Sequence, residues 1–422
     1  MSSISGAATV KKKVKKGPDF DFGLNLTNEH FVELDSQNTY DAELYFKYRH
    51  KFNKHLGLIL SPHIDLNRYK NSKDRSYLLR TENSGLYANY NKFSLTAGFL
   101  SHSFGLSQLF SPLNFVDTAS YWSPFNAQKI SSPTLRFTYK TKAVRLFTSY
   151  MPKRFENLYP GNNTPFIPTK IPGNLKSEGD TYLFPETANY SIEDSETIDD
   201  ALSGNFVGGI RLKLDPFLTQ LLYYRGVDTD PSVDLNLNLT ALDLTPGQRV
   251  FQIDNPIGVI PIYQKVERLG LSVRYTLPFK WRLLYEGNIS KGDENVRQGY
   301  RESQTHTAGL EWGVPIGNTL LLGVLQAYKS KNSSDSSLGL VSPFREAYLF
   351  GANWKYKKYD LSGGYFVSKS LKFSLYNFKV GYKINKNFKF NLSGNILEGE
   401  LIELLSGLLD RDTVSAQIQY NY

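Results

Sequence analysis

The chain contains no cysteine. Disulfide frameworks and thiolate metal sites are therefore excluded. No run of 18 or more apolar residues occurs in the sequence, so no helix can span a bilayer. The six histidines (His30, His50, His55, His63, His102 and His306) are scattered without metal-ligand spacing. No Gly-x-Ser-x-Gly elbow and no phosphate-cradling Gly-x-x-x-x-Gly-Lys-Ser/Thr loop is present, so neither an enzyme nor a nucleotide site is expected, and no cofactor. Aromatics, by contrast, are abundant: the sequence has 28 Tyr and 27 Phe at an apolar content of only 40%. A membrane barrel has that mixture, because only the lipid-facing half of each strand must be apolar.

Apolar and polar side chains alternate along most of the chain. The last residues, Val414 to Tyr422, set Val414, Ala416, Ile418, Tyr420 and Tyr422 on one face and polar residues on the other. Ending on an aromatic, this segment resembles the C-terminal strand of bacterial outer-membrane β-barrels, which that family's assembly machinery reads. Alternation defines about 18 strands, with 16 as the lower alternative, an even number suited to a barrel. Every second connection is tight, as at Asn91-Lys92, Thr141-Lys142 and Lys357-Lys358. The intervening ones, 104–132, 152–203, 228–261, 292–304, 331–343 and 399–411, are longer. Alternating short turns and long loops are what a transmembrane barrel shows, with turns periplasmic and loops outside. The expected fold is thus an all-β antiparallel barrel over 18–422, preceded by a disordered basic tail over 1–17. Residues 1–10 carry no leader pattern, and a trimmed or mis-started chain is expected. The lysines of 11–16 read as a solvated tail, and no nucleic-acid partner is expected.

An Arg or Lys facing mid-bilayer lipid costs about 2–4 kcal/mol, so each charged row must face the lumen. The pore-lining candidates are Arg136, Arg211, Lys213, Arg268, Arg274, Arg282, Glu286, Lys355, Lys379 and Lys389. By the same logic Glu43, Lys47, Arg49, Asp65 and Glu311 face inward. Cations outnumber carboxylates in this set, which either merely solvates the wall or favours anions. Tyr pairs near strand ends, such as Tyr87 with Tyr90 and Tyr356 with Tyr359, suit headgroup girdles.

The 104–132 loop is too aromatic to float free. Phe110, Asn114, Asp117 and Trp122 are its constriction candidates, on the expectation that it folds inward or caps the mouth. The 152–203 loop, proline-rich early and acidic late, is likewise expected to fold inward or cap the mouth, and the 401–409 segment has the pattern of a short amphipathic helix or lid. Gly98, Phe104-Gly105 and Pro112-Leu113-Asn114-Phe115-Val116-Asp117 resemble the Gly…Trp-Gly…Asn-Pro-x-Asp stretch of porin-like barrels around the alginate-export-type channels. Phe104 replaces the Trp of that pattern, and Phe99 stands where an Arg is usual. The resemblance implies a channel and names no cargo.

The expected function is an outer-membrane channel for passive diffusion of small hydrophilic solutes, with an anion preference. A plugged barrel serving as a structural or adhesion protein, or a carrier of hydrophobic compounds, is the alternative. Expected partners are outer-membrane lipid and lipopolysaccharide, the assembly machinery through the last strand, and small solutes.

Overall fold

A computed structural model describes residues 19–32, 38–107, 109–121, 127–161, 174–177, 180–187, 189–197, 200–229, 231–245, 248–292, 302–317, 319–332, 345–370, 372–399 and 412–422. Among these, strand segments join edge to edge into one closed antiparallel barrel of 18 strands. Two crossings are interrupted midway: Leu56–Leu60 continues as Pro62–Asn67, and Tyr77–Thr81 as Ser84–Tyr90. Pro62 lacks an N–H for the ladder, and Asn83 takes a left-handed φ of 47°, so both breaks follow from local chemistry. Closure comes from Asp19–Phe31, which pairs with Asn38–Lys51 on one side and Thr413–Asn421 on the other. The last strand is thereby paired on both sides rather than left as an edge, as a strand in lipid requires.

The tight turns have recognisable causes. Asn53 Oδ1 accepts from the backbone N–H groups of His55 and Leu56 at 2.7 and 2.8 Å. Asn385 does the same for Asn387 and Phe388 at 2.8 and 2.9 Å. These are side-chain-mimicked turns that need no extra residues. Asn91 and Lys357 supply the left-handed φ that a two-residue hairpin requires.

The wall is inside-out relative to a water-soluble protein. On Lys265–Thr276, Leu269 and Leu271 are 50% and 39% exposed, whereas Arg268 and Ser272 are 6% and 0%. Leu221, Leu283, Ile289, Leu325 and Phe350 likewise point outward, while Gln220, Glu286, Glu311 and Gln326 are buried inside. An apolar exterior around a polar interior is stable only in lipid. Cross-strand ring pairs encircle the short-turn end: Phe20 with Tyr48 (4.9 Å), Phe93 with Tyr139 (5.0 Å), Phe217 with Tyr275 (4.8 Å) and Phe388 with Tyr420 (4.9 Å). Packing and a headgroup girdle are here the same feature.

Two expected loops carry sheet structure instead. The 228–261 region is largely one hairpin, Ser232–Thr245 with Gln248–Tyr263. Asp180–Leu183, Tyr190–Ile192 and Glu196–Thr197, from the 152–203 loop, add to the latter strand in parallel. Ile253 and Ile257 form the small core of this outer sheet, against Tyr182, Phe184, Tyr190 and Leu237. Arg249 grips Asp180 through two bonds of 2.7 and 2.9 Å. Parallel partners drawn from another loop leave no local alternation signal that links them. The amphipathic segment expected at 401–409 and the basic tail of 1–17 lie outside the described residues.

Candidate channel constriction and basic row

The loop that follows the Phe93–Leu100 strand runs along the inner wall and is fastened at both ends. At its base, His102 donates its backbone N–H to both Asp117 oxygens (2.8 and 2.7 Å), and its Nδ1 lies 3.0 Å from Asp117 Oδ1. Lys129 Nζ closes the latch on Asp117 Oδ2 and Ser103 Oγ at 3.0 Å each. Burial pushes the His102 imidazole below its ordinary value, against the pull of Asp117. Burial alone would raise the Asp117 carboxyl, but the His102 hydrogen bonds and the Lys129 charge outweigh it and hold it low. Asn114 Oδ1 accepts from the N–H groups of Phe104 and Gly105 at 3.2 and 3.1 Å, pinning the loop to itself.

The wall supplies the remaining anchors. Gln220 donates to the Phe104 carbonyl at 2.8 Å, and Leu106 N–H donates to Glu286 Oε1 at 2.5 Å. Asn288 donates to the Pro112 carbonyl at 2.5 Å. Gln326 accepts from Phe110 N–H at 3.0 Å while donating to the Phe110 carbonyl and to Ser107 Oγ. Rings complete the seating: Phe104 stacks on Phe147 at 5.1 Å, and Phe110 meets Tyr328 edge-on at 4.9 Å. Gly270 and Gly351 matter here. A Cβ at either would come within 2.6 or 2.7 Å of the methyls of Leu113 and Leu109, so glycine lets the loop lie flat on the wall without those side chains shifting. Phe104, Leu113, Phe115 and Val116 thus share a buried cluster with Phe147, Leu222 and Tyr224.

The sequence-derived charges fall into three groups. Arg136, Arg211 and Arg274 form a row on the inner face, joined by Arg145, which lies directly across from Arg211. Arg211 is within electrostatic reach of Arg145, Arg274 and Glu286, Arg136 of Asp117 and Arg145, and Arg274 of Arg282 and Glu311. Arg136 donates to Ser149 Oγ at 3.2 Å and the Ser101 carbonyl at 3.0 Å, and Arg211 to Gln220 at 2.6 Å. Among the described residues no carboxylate comes within salt-bridge distance of Arg136, Arg145, Arg211 or Arg274. Arg282 ends the row, 3.4 Å from Glu311.

Arg268 does not stand with them. Its guanidinium pairs with Asp228 at 2.5 Å, bonds Ser290 at 3.1 Å and lies 5.1 Å over the Phe115 ring. It holds the loop, and so does Glu286, the only carboxylate of the pore-lining set. Lys355 and Lys389 face Asp360 at 3.9 and 3.2 Å on another arc, and Lys379 is exposed nearby on Phe373–Lys383. Lys213 sits exposed beside the Asp215-Pro216 turn, at the rim rather than mid-lumen. Of the loop candidates, Phe110, Asn114 and Asp117 occupy the positions above; Trp122 lies outside the described residues.

An acidic arc occupies neighbouring strands. Arg80, buried, bonds Asp65 at 2.6 Å, Glu43 at 2.5 Å and Glu82 at 2.7 Å, while His63 Nδ1 approaches Glu43 at 2.8 Å. Asp41, Glu43 and Asp65 line a cavity that Ser120 and Gln128 close from the loop. Lys47 and Arg49 lie on the same strand, toward its short-turn end.

Comparison with solved structures decides the fold. The chain superposes on Acinetobacter baumannii OccAB2 with a TM-score of 0.54 at 13% identity, covering 96% of this chain and 98% of that one. The outer-membrane protein opdK of Pseudomonas aeruginosa gives 0.52 at 10% identity, with 96% and 99% coverage. The fold is that of the porin-like outer-membrane barrels. OccAB3 of Acinetobacter baumannii agrees, at 0.51 and 10% identity over 96% and 99%. No family model matches this porin-like barrel, and no curated protein matches it in sequence. The narrower likeness to alginate-export-type channels rests on the loop motif alone.

Sequence reading missed Arg80, Arg145, Arg154, Gln220 and Gln326. Arg145 was legible, since it shares the inward parity of Phe147 and Ser149. Arg154, fully buried, bonds Tyr224 at 2.9 Å and Thr118 at 3.0 Å, contacts that no local pattern signals.

Proposed function

We propose that this barrel is a channel through which small hydrophilic solutes, preferentially anionic ones, diffuse across the outer membrane. The row Arg136, Arg145, Arg211 and Arg274 carries the reading, because these guanidiniums on nearby wall strands have no carboxylate within salt-bridge distance among the described residues, although Asp117, Glu286 and Glu311 act on them from farther off. Building that row costs like-charge repulsion, and a wall with no use for its field would have been neutralised as Arg268 is by Asp228. Guanidinium forks also suit carboxylate and phosphate oxygens. The inward loop sets the width beside the row, and the acidic arc of Asp41, Glu43 and Asp65, two of whose carboxylates are paired with Arg80, adds negative charge on other strands. A solute with an anionic head and a polar or cationic body is matched by such a surface.

A second reading, a barrel too narrow to conduct, is favoured by the depth at which the loop is anchored on Glu286, Asn288 and Gln326. Single-channel recording in planar bilayers separates the two. Discrete openings with an anion-leaning reversal potential are expected. A silent bilayer from protein shown folded by heat-modifiable mobility removes the channel, and a cation-leaning potential removes the role of the arginine row.

A further inference from the structure

The two ends of the barrel differ in how their charges are arranged. Around the long-loop end, some cations are matched: Lys70 with Asp74 at 2.8 Å, Lys73 with Glu156 at 3.0 Å, and Lys369 with Glu346 at 3.2 Å. At the short-turn end six lysines in the turns are not. Lys54, Lys92, Lys142, Lys357, Lys358 and Lys386 occupy the turns themselves, all exposed. None of these six is within salt-bridge distance of a carboxylate among the described residues.

Their spacing from aromatic residues repeats. Lys92 stands between Tyr90 and Phe93, and Lys357-Lys358 between Tyr356 and Tyr359. Lys54 follows Phe52, Lys142 follows Tyr139, and Lys386 precedes Phe388. Lys357 Nζ lies 5.0 Å over the Tyr356 ring and Lys358 Nζ 5.9 Å over Tyr382. Rings of this kind settle at headgroup depth. Ammonium groups one to three residues beyond them lie at the level of the lipid phosphates, on hairpins spread around the rim.

We infer that the short-turn rim is a collar that binds anionic phospholipid headgroups of the leaflet it touches. The ligand chemistry is a phosphodiester with no compensating choline or amine. A lysine near an anionic membrane surface gains enough to enrich such a lipid about fivefold over a zwitterionic one. The inference needs only that the barrel sits in a bilayer, and it stands whether or not the lumen conducts.

The test is spin-label spectroscopy on the full chain reconstituted in phosphatidylcholine vesicles, comparing labelled phosphatidylglycerol with labelled phosphatidylcholine in the restricted shell. The expected association ratio is about five, falling toward one at about 1 M salt, where screening is short-ranged. The variant Lys54→Gln, Lys92→Gln, Lys142→Gln, Lys357→Gln, Lys358→Gln and Lys386→Gln is expected to lose the preference, and the matching Lys→Arg set to keep it. A ratio near one in the unaltered protein overturns the proposal, and that measurement stands even if the Gln variant fails to fold. An undiminished ratio in the folded Gln variant also overturns it. Loss of cosedimentation with peptidoglycan by a Gln variant that keeps its lipid ratio would assign the lysines to an acidic polymer instead, and sink the collar.

Discussion

Replacing Arg145, Arg211 and Arg274 together with Gln tests the lumen field directly. In a water-like dielectric one charge about 6 Å from a permeating monovalent ion changes its energy by about 0.7 kcal/mol, or about threefold in local concentration. A Debye length of about 10 Å in 0.1 M salt softens this to about 0.4 kcal/mol per charge, and each charge disfavours the cation as much as it favours the anion, so removing three should lower the anion-over-cation permeability ratio about fiftyfold. Glutamine retains hydrogen-bonding capacity toward neighbours such as Gln220, so the wall should remain intact. The assay is reversal potential in a potassium chloride gradient, repeated at rising salt, where the difference between the two proteins should shrink. The control is Arg225→Gln, a charge outside the row that lies 3.6 Å from Glu267 and is exposed with it. A triple variant with unchanged reversal potential, or a control that shifts it as far, would refute the argument that uncompensated lumen guanidiniums set selectivity.

Loop anchoring yields the other predictions. Arg268→Gln removes the ion pair with the buried Asp228 and the cation–π contact with Phe115, and should loosen the loop, seen as faster proteolysis between 104 and 117 with the barrel unchanged. Glu286→Ala orphans the Leu106 N–H at a cost of about 1–3 kcal/mol and should increase conductance and current noise; quieter, smaller openings would contradict it. Gly270→Val drives a methyl into Leu113 and should release the same segment without altering the charges of the row. The His102–Asp117 latch should loosen in acid. Both groups have folded values below their ordinary ones, so the folded loop binds fewer protons, and its stability falls as pH drops below about 6.5 and further through the carboxylate range. Current noise that rises on acidification in the unaltered protein but not in His102→Asn would bear this out, and a flat profile would oppose it.

What the sequence determined by itself was the wall. Alternation of period two, the parity of turn length and the charged rows require a lipid-facing exterior and a wet interior, because a misfaced Arg costs more than any local preference returns. The strand pairs around Lys357-Lys358 and Asn385 were readable since each is settled within a few residues. The inward direction of Arg211 and Arg274 was readable for the same reason. Tertiary structure decided which of those charges are uncompensated. Arg268 and Arg274 have the same parity on one strand, yet Asp228 neutralises the first and no described carboxylate bridges the second. That difference depends on where a separate chain segment comes to rest. The seat of the 104–117 loop was equally hidden, since Gln220, Gln326, Gly270 and Gly351 lie far along the chain and resemble ordinary wall residues. The outer sheet was missed because its parallel strands come from loops far apart in the chain. Local periodicity fixes which way a side chain faces; only closure of the barrel fixes what it faces.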